Sequence, residues 1–312
     1  MIKIEFNQEL FEKHISAISK KLQTKIVSLL IDNMITEDET KECLRYLSNE
    51  KELKNLLSLN TQQLQVYIEF FKQEFPESIG VENQKEKEWS ELYRVLRDEL
   101  FENEYNNWGQ RTREYGAYEF VTMLDLKSCP YCNRNYTFTV VNANGRMRPE
   151  IDHFYPKSKY PFLAMSFFNL IPSCPNCNHT KKDKLNSILS PYDIKEDDFS
   201  FTYKPTKVDF TNLAIQKYNF DSFEIELKGK KENIELFKLQ ELYKQHKDIV
   251  VELLIKKAYY PQTYIDELEN SFGFSKDEVY RYLVGNYIQE NDLHKRPLSK
   301  LTKDIAKELE LL

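Results

Sequence analysis

Glycine is scarce, 7 in 312 residues, so long flexible linkers are not expected. No run approaches the ~20 consecutive apolar residues of a membrane span, which argues against a membrane partner. The opening MIKIEFNQELFEKH has no basic segment followed by an apolar stretch, so no secretory leader is expected. These absences point to a cytoplasmic protein. Cysteine is also sparse, 5 in all, yet four of the five fall into two C-x-x-C pairs. In a reducing compartment such pairs favour metal over disulfide. What remains is ordinary for a globular chain: 41% hydrophobic and 30% charged residues, with length enough for two or three domains. We find no internal repeat.

Charge is uneven. The chain carries −6 overall. Lys127 to Lys184 holds nine Lys and Arg against three Asp and Glu, a net +6, which leaves −12 for the remainder. A basic island in an acidic protein fits local contact with phosphates rather than wholesale coating of nucleic acid. The plainer reading is a lysine-rich solvated face.

Residues 1–110 read mostly as helix, with MIKIEF as a short edge strand. Ile15, Ile18, Leu22, Ile26 and Leu29 recur at three- and four-residue spacing. Thr36 with Glu39 resembles a capping box that opens the next helix. His14 and Cys43 sit in these patterns as ordinary packed or surface residues. Residues 111–195 are expected to form the core region, and within them residues 129–185 change character. Thr137 to Val141 reads as a strand, Asn142 to Gly145 as a turn, and Arg146 to Phe154 as the returning strand. A short polar helix runs from Asn178 to Lys184. Residues 196–312 are mostly helical, with Phe223 to Leu227 as a strand and Ser275 with Glu278 as a second capping box. The fold class expected is α+β: a mostly helical chain around a small ββα core.

The chemistry is concentrated in residues 129–184. Cys129 and Cys132, then Cys174 and Cys177, are separated by 41 residues. Four thiolates can close a tetrahedral Zn²⁺ site, which would staple a unit with little core of its own. A thioredoxin-like redox pair would need only one such motif. Between the pairs lie Asp152 and His153. An imidazole suits a general base, and a carboxylate suits a hard divalent cation. Asn178, directly after the last cysteine, offers a neutral carbonyl oxygen to the same cation. Asn169 could tie its loop to backbone near His153. An isolated Asp-His pair would more often be structural, but the knuckles and the basic surroundings reverse that judgement.

Asp152-His153, Asn169 and Asn178, framed by the two cysteine pairs, resemble the HNH endonucleases of the ββα-metal group. The resemblance covers about 60 residues. It implies hydrolysis of DNA phosphodiesters with one divalent metal, Mg²⁺ or Mn²⁺, beside the structural zinc. It implies His153 as the base, Asp152 and Asn178 as cation ligands, and Asn169 as the loop-orienting residue. Two departures are visible: Lys159-Tyr160-Pro161 stands where many members have Gly-Gly, and His179 follows Asn178 where many have His after the last cysteine. His179 therefore stays open as a ligand or phosphate contact. Lys181, Lys182 and Lys184 share the helix of Asn178 and are candidate phosphate contacts. More weakly, Leu239 to His246 and Arg296 to Leu301 resemble the HNH subunits of Septu-type anti-phage systems, which implies an ABC-type ATPase as partner. The competing readings are a zinc-knit module that grips nucleic acid without cutting, and an inactive scaffold. The gripping module has no need of Asp152, His153 and Asn178 together.

Overall fold

The computed structural model describes residues 1–31, 35–81, 85–111, 114–142, 145–184, 187–207, 222–260 and 262–312. It is mostly helical with small two-stranded sheets. Two compact units are distinguishable. One comprises Glu5–Leu126 with Thr137–Leu185, and the other Met1–Ile4, Lys127–Tyr136 and Asn186–Leu312.

The first unit begins with α1 (Gln8–Ile31), whose Leu10, Ile18, Leu22 and Ile26 are fully buried. That spacing keeps one stripe of the helix facing the core. α2 (Asp38–Ser48), α3 (Glu50–Ser58) and α4 (Thr61–Glu74) follow. Asn60 and Gln63 form a reciprocal capping box at the start of α4. The box expected at Thr36 does not form. Glu37 precedes the helix without a side-chain cap, and the Thr36 N–H and hydroxyl donate instead to the Glu91 carboxylate. A tertiary acceptor has outcompeted the local one. α5 (Glu91–Arg94), a π-helical turn (Val95–Phe101) and α6 (Glu102–Gln110) run on continuously, and α7 (Ala117–Leu124) follows.

His14 is fully buried in this unit. Its Nδ1 is 2.8 Å from the Tyr115 hydroxyl and its Nε2 2.8 Å from the Met165 carbonyl oxygen. Burial pushes its pKa down to about 4. The unfolded chain then binds a proton that the fold refuses, so this group's stability is full above the ordinary pKa and is lost as pH falls from about 6.5 towards 4. His14 alone should make the protein about 2 kcal/mol less stable at pH 5 than at pH 7. Urea midpoints at the two pH values should show a smaller acid loss in a His14→Leu variant. An unchanged slope would contradict the assignment.

The β structure departs from the single hairpin that the sequence suggested. β1 (Val140–Asn142) pairs with β2 (Gly145–Met147), and both are exposed throughout. The expected turn residues 143–144 lie outside the described residues. The returning strand stops at Met147. Pro149 has no N–H to give a ladder, and it separates β2 from β3 (Glu150–His153). β3 pairs antiparallel with β4 (Leu170–Ser173), with Asp152 opposite Ile171 and His153 opposite Leu170. β4 leads directly into α8 (Pro175–Lys181), with Pro175 at the first helical position. The ββα element is therefore β3–β4–α8.

In the second unit, β5 (Phe199–Pro205) and β6 (Phe223–Gly229) form an antiparallel pair. Phe223, Ile225 and Leu227 alternate inward, as a half-buried strand requires. α9 (Lys231–Leu236), α10 (Leu239–Tyr243), α11 (Lys247–Tyr259), α12 (Gln262–Phe272), α13 (Lys276–Val284) and α14 (Ser299–Glu308) follow. The capping box at Ser275 and Glu278 forms as expected. The loop of the first cysteine pair is held by this unit. Asn133 adopts a left-handed conformation at φ 48° and is fully buried. Its side-chain amide donates to the Ser128 hydroxyl and the Leu293 carbonyl, and its oxygen accepts from the Lys300 N–H. The Tyr243 hydroxyl donates to the Cys132 carbonyl at 2.6 Å. No helix among the described residues is long and apolar enough to cross a membrane.

Candidate active site and metal centre

The sulfurs of Cys129, Cys132, Cys174 and Cys177 lie within 4.8 Å of one another, and all four side chains are buried. A tetrahedron with Zn–S bonds of about 2.3 Å has edges of about 3.8 Å, so the cluster could hold a metal such as zinc. Local structure prepares each pair. The Cys129 N–H donates to the Asn135 carbonyl and the Asn133 N–H to the Cys129 carbonyl, which closes a tight knuckle. Cys174 caps α8, and the Asn178 N–H donates back to its carbonyl.

Asp152 and His153 are adjacent on β3, so their side chains leave opposite faces of the strand. Both still line one open cleft of about 440 Å³, with Tyr105, Lys157, Asn178 and Lys182. Tyr105 stacks edge-on against the His153 ring, 4.5 Å between centroids. The Tyr105 hydroxyl donates to the Ile151 carbonyl at 3.2 Å.

His153 is only 7% exposed, and its Nε2 lies 3.0 Å from the Ala164 carbonyl oxygen. A carbonyl only accepts, so Nε2 carries the hydrogen and Nδ1 keeps its lone pair. Burial, assisted by the charges of Lys157 and Lys181, pushes the His153 pKa down to about 3. The ring is neutral at physiological pH, as an acceptor of protons must be.

Asn169 is fully buried at the start of β4. Its Oδ1 accepts from the Tyr155 N–H at 2.7 Å, and its Nδ2 donates to the Tyr155 and Leu163 carbonyls at 3.1 and 2.9 Å. These bonds fix both ends of the loop from Phe154 to Ala164, the loop whose last carbonyl holds His153.

α8 meets β3 through two side chains one turn apart. The Asn178 Nδ2 donates to Glu150 Oε2 at 2.7 Å. The Lys181 ammonium lies 3.2 Å from Asp152 Oδ1 and donates to the His153 carbonyl at 2.6 Å. Lys181 is 0% exposed and Asp152 3%. The sequence suggested Lys181 as a solvent-facing phosphate contact. Instead the structure buries it as an internal counter-charge, and cutting such a pair on one side costs about 3–5 kcal/mol. Lys182 and Lys184 are exposed, and so is most of His179, whose Nε2 lies 3.4 Å from Glu150 Oε1.

Sequence reasoning passed over Glu150, Lys157 and Tyr105. Glu150 had a signal: it stands two residues before Asp152, on the same face of any strand there. Lys181 had one too, three residues after Asn178 on one helical face. Tyr105 comes from α6 with no local cue.

The oxygen donors of Asp152 and Asn178 in one cleft make a set that suits a hard divalent cation. The imidazole in the same cleft is held neutral and in one tautomer. Residues 129–184 match the family model described as HNH endonuclease. Over longer stretches the chain is similar to two proteins. It is 28% identical over 137 residues to the Septu protein PtuB of Bacillus thuringiensis, covering 43% of this chain and 44% of that protein. It is 27% identical over 111 residues to Protein ea31 of Escherichia phage lambda, covering 34% of this chain and 33% of that protein. The chain thus aligns with less than half the length of either relative. No solved structure matches.

Proposed function

We propose that the chain is a metal-dependent HNH endonuclease that hydrolyses DNA phosphodiester bonds. The observation that carries this reading is His153, neutral and with Nε2 tied to Ala164, lining the same cleft as Asp152 and Asn178. His153 Nδ1 accepts the proton of the attacking water, while the Ala164 carbonyl keeps the tautomer that leaves Nδ1 basic. Asn169 fixes the loop that supplies that carbonyl. Asp152 and Asn178 would hold Mg²⁺ or Mn²⁺, which would offset charge developing on the scissile phosphate and the leaving 3′ oxygen. We assign contacts with flanking phosphates to Lys182, Lys184 and His179, which are exposed. Lys181 takes a different part: its ammonium steadies the Asp152 carboxylate and the main chain at His153.

The biological setting we infer is the nuclease effector of a bacterial anti-phage defence system in the cytoplasm, acting with an ATPase partner. The similarity to the Septu protein PtuB supports it. The Leu239 to His246 and Arg296 to Leu301 segments lend that partner less support than their sequence did. Tyr243 binds the Cys132 carbonyl, and the Leu298 and Lys300 N–H groups bind Asn133, so these residues are engaged within their own unit. One preparation tests the whole reading. Expressed with its genomic neighbours, the chain should nick supercoiled plasmid with Mg²⁺ or Mn²⁺ and not in chelator, and should retain a stoichiometric protein partner. A lone chain that cuts unaided would remove the partner and keep the nuclease. A metal-loaded complex that only binds DNA would remove the nuclease.

A further inference from the structure

We propose that Glu150 is a positioning residue that turns the Asn178 amide so that its oxygen, not its nitrogen, faces the cation site. The inference rests on the nuclease reading above. A carboxamide has two ends of nearly equal size and opposite use, one that can hold a cation and one that repels it. Packing by shape alone does not choose between them. Glu150 does, because an ionised carboxylate has no hydrogen to offer and accepts only from the NH₂ end. Its Oε2 lies 2.7 Å from Asn178 Nδ2. With that end engaged, Oδ1 is what Asn178 has left to present.

The placement follows from register. Glu150 opens β3 and stands opposite Ser173, the residue before the Cys174 cap of α8. It therefore sits beside the junction from which the Asn178 side chain rises. Two residues further along the strand, Asp152 leaves the same face of β3. One strand face thus supplies both a proposed ligand, Asp152, and the group that orients the other, Asn178. The second Glu150 oxygen lies 3.4 Å from His179 Nε2. A glutamine at position 150 would keep the shape but lose the choice, since either of its own ends could turn towards Asn178.

Binding of Mn²⁺ alone, without DNA, tests this on the full zinc-loaded chain by titration calorimetry or electron paramagnetic resonance. Glu150→Ala should weaken Mn²⁺ binding by about 10- to 100-fold, the usual effect of removing a group that orients a ligand. Glu150→Gln should fall in between. The decisive arm is an Asn178→Asp background. A carboxylate has no wrong end, so Glu150→Ala should cost nothing there. Circular dichroism and zinc content check that each variant folds, and Glu150→Gln serves if the alanine variant does not. Equal Mn²⁺ affinity in wild type and Glu150→Ala, with Asn178→Ala weakened, would overturn the role of Glu150 alone. The same loss in both backgrounds would also overturn it, since Glu150 would then act by charge rather than by orienting the amide. Failure of the wild-type chain to bind Mn²⁺ at all would be a different result, and would overturn the cation site together with this inference.

Discussion

His153→Ala should reduce plasmid cleavage by about 10²- to 10⁴-fold, the span expected for loss of a general base. The substitution removes the atom proposed to receive the proton and leaves the proposed cation ligands, Asp152 and Asn178, in place. It also leaves a ring-sized gap beside Tyr105 and an Ala164 carbonyl without its donor. Some stability must therefore be lost, and the measurement has to separate that from chemistry. Two readouts do so. Zinc content should stay near one per chain, because the cysteine cluster is untouched. Mn²⁺ affinity should stay close to wild type, because Asp152 and Asn178 are the proposed ligands and His153 is not. An Asp152→Ala variant should behave in the opposite way, with weakened Mn²⁺ binding and activity partly restored by excess metal. If His153→Ala cleaves as fast as wild type, the base is elsewhere and the site assignment is wrong. If it loses Mn²⁺ binding along with activity, His153 is a ligand and the division of labour changes.

Much of the site could be read without coordinates, and the reasons are local. Four thiols in two C-x-x-C pairs have few uses besides one metal, so their convergence was legible in spacing. Asn169 was legible as a tie to the loop near His153, because an Asn beside an apolar strand must satisfy three or four hydrogen-bonding groups somewhere close. What was not legible depended on competition between distant groups. Lysines 181, 182 and 184 look alike in sequence, yet helical phase turns Lys181 inward to a carboxylate 29 positions earlier and leaves Lys182 and Lys184 in solvent. The capping box at Thr36 obeyed every local rule and lost to Glu91, an acceptor 55 positions away. The single hairpin failed for a simpler reason that was in view: Pro149 interrupts the expected returning strand. The remaining helices of residues 1–110 were readable from the spacing of apolar positions, since one buried stripe is all that α1 needs.

Cys174→Ser should do more damage to the protein than any substitution in the cleft. All four thiols are buried, so without metal they would either stay protonated as poorly matched apolar groups or ionise without a counter-charge. A structural Zn²⁺ site contributes apparent binding energy of about 10–16 kcal/mol, against a whole-domain stability of about 5–15 kcal/mol. Loss of one ligand therefore threatens folding and does not merely trim it. The damage should start at the junction of β4 and α8, because Cys174 caps the helix that carries Asn178 and Lys181. Metal analysis of the wild-type protein should give about one Zn²⁺ per chain. The Cys174→Ser variant should be poorly soluble, low in zinc and melted well below wild type by circular dichroism. Cys43 supplies the control. It is fully buried in α2, away from the cluster, and burial pushes its thiol pKa up, so it is an inert packing group. Cys43→Ala should keep full zinc content and lose only the small packing energy of a buried sulfur. Well-folded wild-type protein that contains no zinc, and whose melting is unchanged by chelator, would show that the four cysteines hold the fold by packing alone.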